Sequence, residues 1–180
     1  MTEFKKYGKT PRLEKLFENV IITEKIDGTN ASIKIENSEI VYAGSRNRII
    51  TPEDDNFGFA KWVEEKRDEL VKLGDGVHFG EWFGEGIQKN PLGVEGKRWA
   101  LFNVNRWEGN LPNCVETVPV IYTGPYEHEN ILFVIGRLRL GSFVDGSSET
   151  AKPEGLVTYF PEIQQVAKWT FENQKGKWNA

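Results

Sequence analysis

Two strand-like runs, Val20-Ile21-Ile22-Thr23 and Ala31-Ser32-Ile33-Lys34-Ile35, are joined by Glu24-Lys25-Ile26-Asp27-Gly28-Thr29-Asn30. The β-branched runs dictate extended backbone and a sheet, and the Asp-Gly between them dictates a turn. The join therefore puts a lysine in the crease between two strands, with a carboxylate on either side and a glycine turn behind it. A buried lysine is costly unless its charge is paired or lowered. Lys25 is thus a candidate nucleophile, an amine that attacks once it is neutral. Asp27 reads as a residue that positions the lysine loop.

Further strand patterns predict a sheet-rich chain. They cover 39–44, with Asn37-Ser38 as a hairpin turn, then Val77 to Phe83, Arg98 to Val104, Gly155 to Phe160 and Gln165 to Phe171. Phe59, Trp62, Val63, Leu70 and Leu73 recur at helical spacing, as do Ile131, Val134, Ile135 and Leu138 after His128. Leu13 to Phe17 forms a short third helix, and the Gly- and Pro-containing stretches 84–97 and 109–114 are loops. The class is α+β, with antiparallel sheets flanked by a few helices. At 180 residues the chain is expected to be a single domain. The sequence shows no signal peptide and no apolar run near the ~20 residues of a membrane span, which predicts a cytoplasmic location without membrane. One cysteine, Cys114, excludes an internal disulfide and a zinc cluster.

A lysine amine ordinarily titrates at ~10.4, so a nucleophilic lysine needs a second cation, a metal ion or burial beside it. Attack on a nucleotide phosphate also needs carboxylates for Mg²⁺, a further cation near the phosphate and an aromatic face for the base. The chain offers each. Glu81 stands among aromatics in Phe79-Gly80-Glu81-Trp82-Phe83-Gly84, and Glu154 stands at the mouth of Gly155-Leu156-Val157. Lys168 lies in Val166-Ala167-Lys168-Trp169-Thr170, while Trp99 and Phe102 are rival stacking residues. His78 and the Glu53-Asp54-Asp55 run read as structural, the latter capping the helix that follows.

Lys25-Ile26-Asp27-Gly28 resembles the K-x-D-G signature of covalent nucleotidyltransferases, which include ATP-dependent DNA ligases, RNA ligases and capping enzymes. The likeness extends in order through Ser45-Arg46, Glu81, Phe102, Glu154-Gly155 and Lys168, from Thr23 to Lys168. Thr29-Asn30 and the run Gly80-Glu81-Trp82-Phe83-Gly84-Glu85-Gly86-Ile87-Gln88-Lys89 are most similar to phage-type RNA ligases that seal nicks in duplex RNA.

That resemblance implies the nucleotidyltransferase fold (the ATP-grasp-like adenylation domain of ligases) without a C-terminal OB or helical domain. It implies ATP and Mg²⁺ (or Mn²⁺) as cofactors, and as partner an RNA bearing 5′-phosphate and 3′-hydroxyl ends, or strands that contain DNA. By the same resemblance Lys25 takes AMP, Glu24 and the Ile26 backbone lie near adenine, and Asn30 and Arg46 meet the α-phosphate or ribose. Glu81 holds the ribose, Phe102 stacks on adenine, Glu154 orients the metal and Lys168 touches the α-phosphate. The last motif departs from the family, which carries two lysines one residue apart where this chain has only Lys168, flanked by Val166 and Thr170; either Lys175 or Lys177 compensates, or the chain adenylylates more slowly. A net charge of −4 disfavours strong duplex binding by the chain alone and leaves room for a separate nucleic-acid-binding partner. The rival readings are a small ATP-dependent DNA ligase and a non-catalytic nucleotide-binding module of the same fold.

Overall fold

In the computed structural model, residues 10–107 and 111–172 are described. Two sheets meet face to face at one end. Four antiparallel strands form the first: β1 (Val20–Lys25), β8 (Val120–Gly124), β9 (Gly155–Phe160) and β10 (Gln165–Thr170), in the order β10-β9-β1-β8. The second has six strands: β2 (Thr29–Glu36), β3 (Glu39–Ser45), β4 (Ile49–Ile50), β5 (Gly76–Gly84), β6 (Lys97–Leu101) and β7 (Glu116–Thr117). Their order is β4-β3-β2-β5-β6-β7, and only the β6–β7 pair is parallel.

Each sheet buries its outer face under helix. In the first, Val20, Ile22 and Leu156 pack against Val134 and Leu138 of α3 (His128–Leu140). In the second, Ala31, Ile33, Ile35, Trp82, Trp99 and Leu101 pack against Phe59, Ala60 and Val63 of α1 (Phe59–Glu65) and Leu70 of α2 (Arg67–Leu70). A third cluster, with Ile26, Phe83, Val94, Ala100, Val118 and Val144, joins the inner faces. The α+β class and the antiparallel arrangement agree with the sequence pattern.

Details differ for identifiable reasons. The helix expected over 59–73 breaks at Lys66 (φ −104°, ψ 12°) and finishes as a 3₁₀ turn over Val71–Leu73. Its apolar stripe lapses there, since Lys66 and Arg67 hold the positions that a continuous stripe would fill. Leu13–Phe17 is likewise a 3₁₀ turn. The sequence reading missed β7 and β8, which Pro119 interrupts and which remain largely half-buried. The hairpin at Asn37-Ser38 is as expected: both residues have positive φ (53° and 61°), as a two-residue primed turn requires, and their N–H groups donate to Asp75. Asp55 caps α1 by accepting from the N–H groups of Ala60 (2.8 Å) and Lys61 (3.1 Å). Among the described residues no helix is long and apolar enough to cross a membrane.

Candidate active site

The period-two alternation of a strand decides which residues of β1 face inward. Ile21, Thr23 and Lys25 point to the inner face, where they pair in register with Tyr159, Val157 and Gly155 of β9. The next strand places Val166, Lys168 and Thr170 opposite those three. Lys168 therefore shares a face with Lys25 and stands one row away from it.

From the second sheet, Asn30 and Glu81 pair across β2 and β5 and share its inner face. The two inner faces enclose a cleft of ≈ 520 Å³ whose lining includes Thr23, Lys25, Ile26, Glu81, Phe102 and Tyr159. Glu24 borders it too, but by alternation its carboxylate turns to the α3 side. There it is 1% exposed and accepts from Ser142 Oγ (2.7 Å) and the Phe143 N–H (2.6 Å). Burial raises the Glu24 carboxyl above its usual range, and these two donors oppose the rise.

Around Lys25 the charges are unbalanced. Its ammonium is ion-paired with Glu154, and the carboxyls of Asp27 and Glu81 are close enough to feel both charges. Burial pushes Glu81 up to about 7; Lys25 and the Gly28 N–H pull it down, and Glu154 and Asp27 push it further. Asp27 is raised first by burial and next by Glu154, with Lys25 opposing. A site with surplus carboxylate is one that a cation would relieve.

Gly28 has a steric reason to be glycine. A Cβ there would fall 2.8 Å from Phe83 Cβ, 3.0 Å from Glu81 Cγ and on the Trp82 carbonyl oxygen. Only a bare backbone lets the lysine turn lie against β5. Gln88 adds a tie, its amide donating to the Gly28 carbonyl at 3.2 Å. Gly155, at φ 157°, has the same need, since a Cβ would strike the Trp169 carbonyl of β10. Both glycines hold backbone beside Lys25.

The rivalry between the two aromatics has a clear geometric outcome. Trp99 is 0% exposed and packs edge-on to Phe59 at 5.3 Å in the core under α1. Phe102 is 41% exposed and lines the cleft, because β6 ends at Leu101 and the chain bends out of the sheet. The strand expected to reach Val104 thus stops three residues early, and the bend brings Asn103, Val104 and Asn105 into the lining. The strand pattern places Asn103 and Val104 inside that strand and leaves only Asn105 outside it.

Not every expected residue reaches the cleft. Arg46 is exposed beyond the end of β3 and outside the lining, while Asn30, Glu154 and Lys168 stand at its margin rather than in its walls. Lys175 and Lys177 lie outside the described residues. His78 donates to or accepts from the site nowhere; its ring nitrogen meets the Gly74 carbonyl at 2.8 Å.

The sequence model of the RNA ligase family matches residues 18–170, most of the chain. The chain belongs to the RNA ligase family. No curated protein matches it at the sequence level. Among solved structures, an apo point mutant of Naegleria gruberi RNA ligase superposes with a TM-score of 0.62 at 19% identity, over 87% of this chain and 50% of that one. A point mutant of the same enzyme with ATP and Mn gives 0.61 at 20% identity, over the same shares. The enzyme with PPi gives 0.60 at 21% identity, again over 87% and 50%. At such identity the likeness establishes the fold. The chain spans about half the length of these structures.

Proposed function

We propose that this RNA ligase family chain is an adenylation domain that loads AMP from ATP onto Lys25 and transfers it to a 5′-phosphorylated RNA end. The carrying observation is that Lys25 stands in the cleft against Glu154, with Glu81 opposite and Phe102 on the wall. In the first step Lys25 Nζ bonds to the α-phosphorus, the bridging oxygen to the β-phosphate leaves with pyrophosphate, and the amine loses a proton. In the later steps the AMP passes to the RNA 5′-phosphate, and a 3′-hydroxyl then attacks that phosphate and expels AMP.

The remaining roles are those the family resemblance implies, and the positions of these residues support them. Phe102 stacks on adenine and Glu81 accepts from the ribose hydroxyl. The Ile26 backbone and the backbone of Glu24 border the base, since the Glu24 carboxylate is committed to Ser142 and Phe143. Lys168 and Asn30 reach the α-phosphate from the two sheets, and Arg46, outside the cleft, meets the polynucleotide.

No three His, Cys, Asp or Glu side chains among the described residues form a ready-made cation cage. That suits Mg²⁺ or Mn²⁺, because Mg²⁺ is commonly held by one or two carboxylates together with substrate phosphates and water. Glu154 is the residue that would hold it, with Asp27 in the second rank. When bound, the cation supplies neutralisation of phosphate charge and competes with Lys25 for Glu154.

Incubation with α-labelled ATP and Mg²⁺ tests the reading. The expected result is label that survives denaturation on the wild type and is absent from Lys25→Ala. An equal adduct on Lys25→Ala, or none on the wild type, refutes it. Comparing the sealing of matched RNA and DNA nicks separates the RNA reading from a DNA ligase.

A further inference from the structure

Phe102 and Asn103 line both the ≈ 520 Å³ cleft and a second pocket of ≈ 320 Å³. Val77, Phe79, Arg106 and Trp107 contribute to the second wall. Phe79 follows Glu81 on the inner face of β5, two residues or about 6.6 Å along the strand. Phe79 is 53% exposed: on its β2 side stand only Ser32 and Gly44, too small to cover it, and on its other side is Phe102, whose N–H donates to the Phe79 carbonyl at 3.0 Å. The lining contains one cation, Arg106, and no carboxylate, in a chain of net charge −4. The Arg106 guanidinium is held in place over Trp107 at 4.8 Å and donates to the Asp75 carbonyl at 3.3 Å.

Resting on the RNA ligase reading above, we infer that this pocket receives one unpaired nucleobase of the RNA strand, stacked on Phe79, with its backbone phosphate towards Arg106. Exposed aromatic rings beside a cation suit bases whose faces are free, as at a strand end, and not bases stacked within a duplex. Because the pocket shares the Phe102 wall with the nucleotide cleft, the base it holds belongs to a nucleotide next to the join.

The test measures binding of 5′-labelled RNA by fluorescence anisotropy, with single abasic positions moved along the last nucleotides before the end. Phe79→Ala is expected to weaken binding by about 5- to 150-fold, the range for loss of one stacked base. Phe79→Tyr is expected to restore it. Abasic substitution at one position should cause the same loss, and combining it with Phe79→Ala should add nothing. A melting curve checks that the variants fold. Unchanged binding by Phe79→Ala, additive losses at every position, or no RNA binding by a wild type that forms the AMP adduct each overturns the site. The first of these outcomes would assign the patch to a protein partner instead. Absence of the adduct on wild type refutes the ligase reading itself, which is a separate result.

Discussion

Gly28→Ala is the most exacting test of how the lysine is positioned. The added Cβ would stand 2.8 Å from Phe83 Cβ, more than half an ångström inside the ordinary contact of 3.4 Å, and closer still to the Trp82 carbonyl oxygen. Both neighbours are fixed, since Trp82 and Phe83 are buried and β5 is paired on each side. The turn carrying Lys25 must therefore move, by about 1 Å, rather than β5. Overpacking of this kind costs about 1–3 kcal/mol of stability. A displacement of about 1 Å at the reacting group costs on the order of 100-fold in rate. The assay is the single-turnover rate of adduct formation at saturating ATP, paired with urea unfolding. Gly136→Ala in α3 is the control: a Cβ there meets nothing within 4 Å, so it should stabilise by roughly 0.5–1 kcal/mol and leave the rate alone. A Gly28→Ala protein that forms adduct at the wild-type rate refutes the claim that close approach to β5 positions Lys25.

Four further outcomes are expected. Glu81 keeps its proton in the folded chain up to about 7, whereas unfolded it loses it near 4.5, so its share of stability is full below 4.5 and falls as pH rises to 7. Glu81→Gln should flatten the decline in urea midpoint across that window, recovering at most about 3 kcal/mol at its upper end. Phe102→Ala should raise the ATP concentration needed for half-maximal labelling, by about 5- to 150-fold, with little change in melting temperature. Trp99→Ala should instead cost about 3–5 kcal/mol in urea unfolding, because Trp99 fills the core. Glu24→Ala leaves the N–H of half-buried Phe143 without its acceptor and should cost about 1–3 kcal/mol, read in the same assay.

What the sequence made readable was whatever repeats with a strand or helix period. Lys25, Glu81 and Lys168 each sit in a run whose alternation is visible, and the fold sets all three on inner faces. Trp99 and Phe102 stand three residues apart in one apparent strand and so face opposite sides; which side is core and which is cleft is set by the pairing with β5, where Trp99 meets Trp82 on the helix side and Ala100 meets Glu81 on the inner face. Asn103, Val104 and Asn105 reach the cleft through a bend, and a bend leaves no period to read.

Glu24 and Lys25 mark the boundary of sequence reasoning most clearly. They are adjacent, both charged and at the start of the signature, and pattern alone would assign them to one site. Strand alternation sends them to opposite faces, Lys25 towards Glu154 and Glu24 towards Ser142 and Phe143 beyond the end of α3. Those partners lie more than a hundred residues along the chain. No local pattern can specify which distant backbone N–H will satisfy a buried carboxylate, yet a buried carboxylate must find one. The nucleophile's position thus depends on two anchors of different kinds: a glycine, readable in the signature, that admits the turn against β5, and a carboxylate whose clasp on the α3 terminus only the fold discloses. Loss of either should cost stability, but only loss of the first should also cost rate, and that contrast separates a turn that aims the lysine from a clasp that holds the strand.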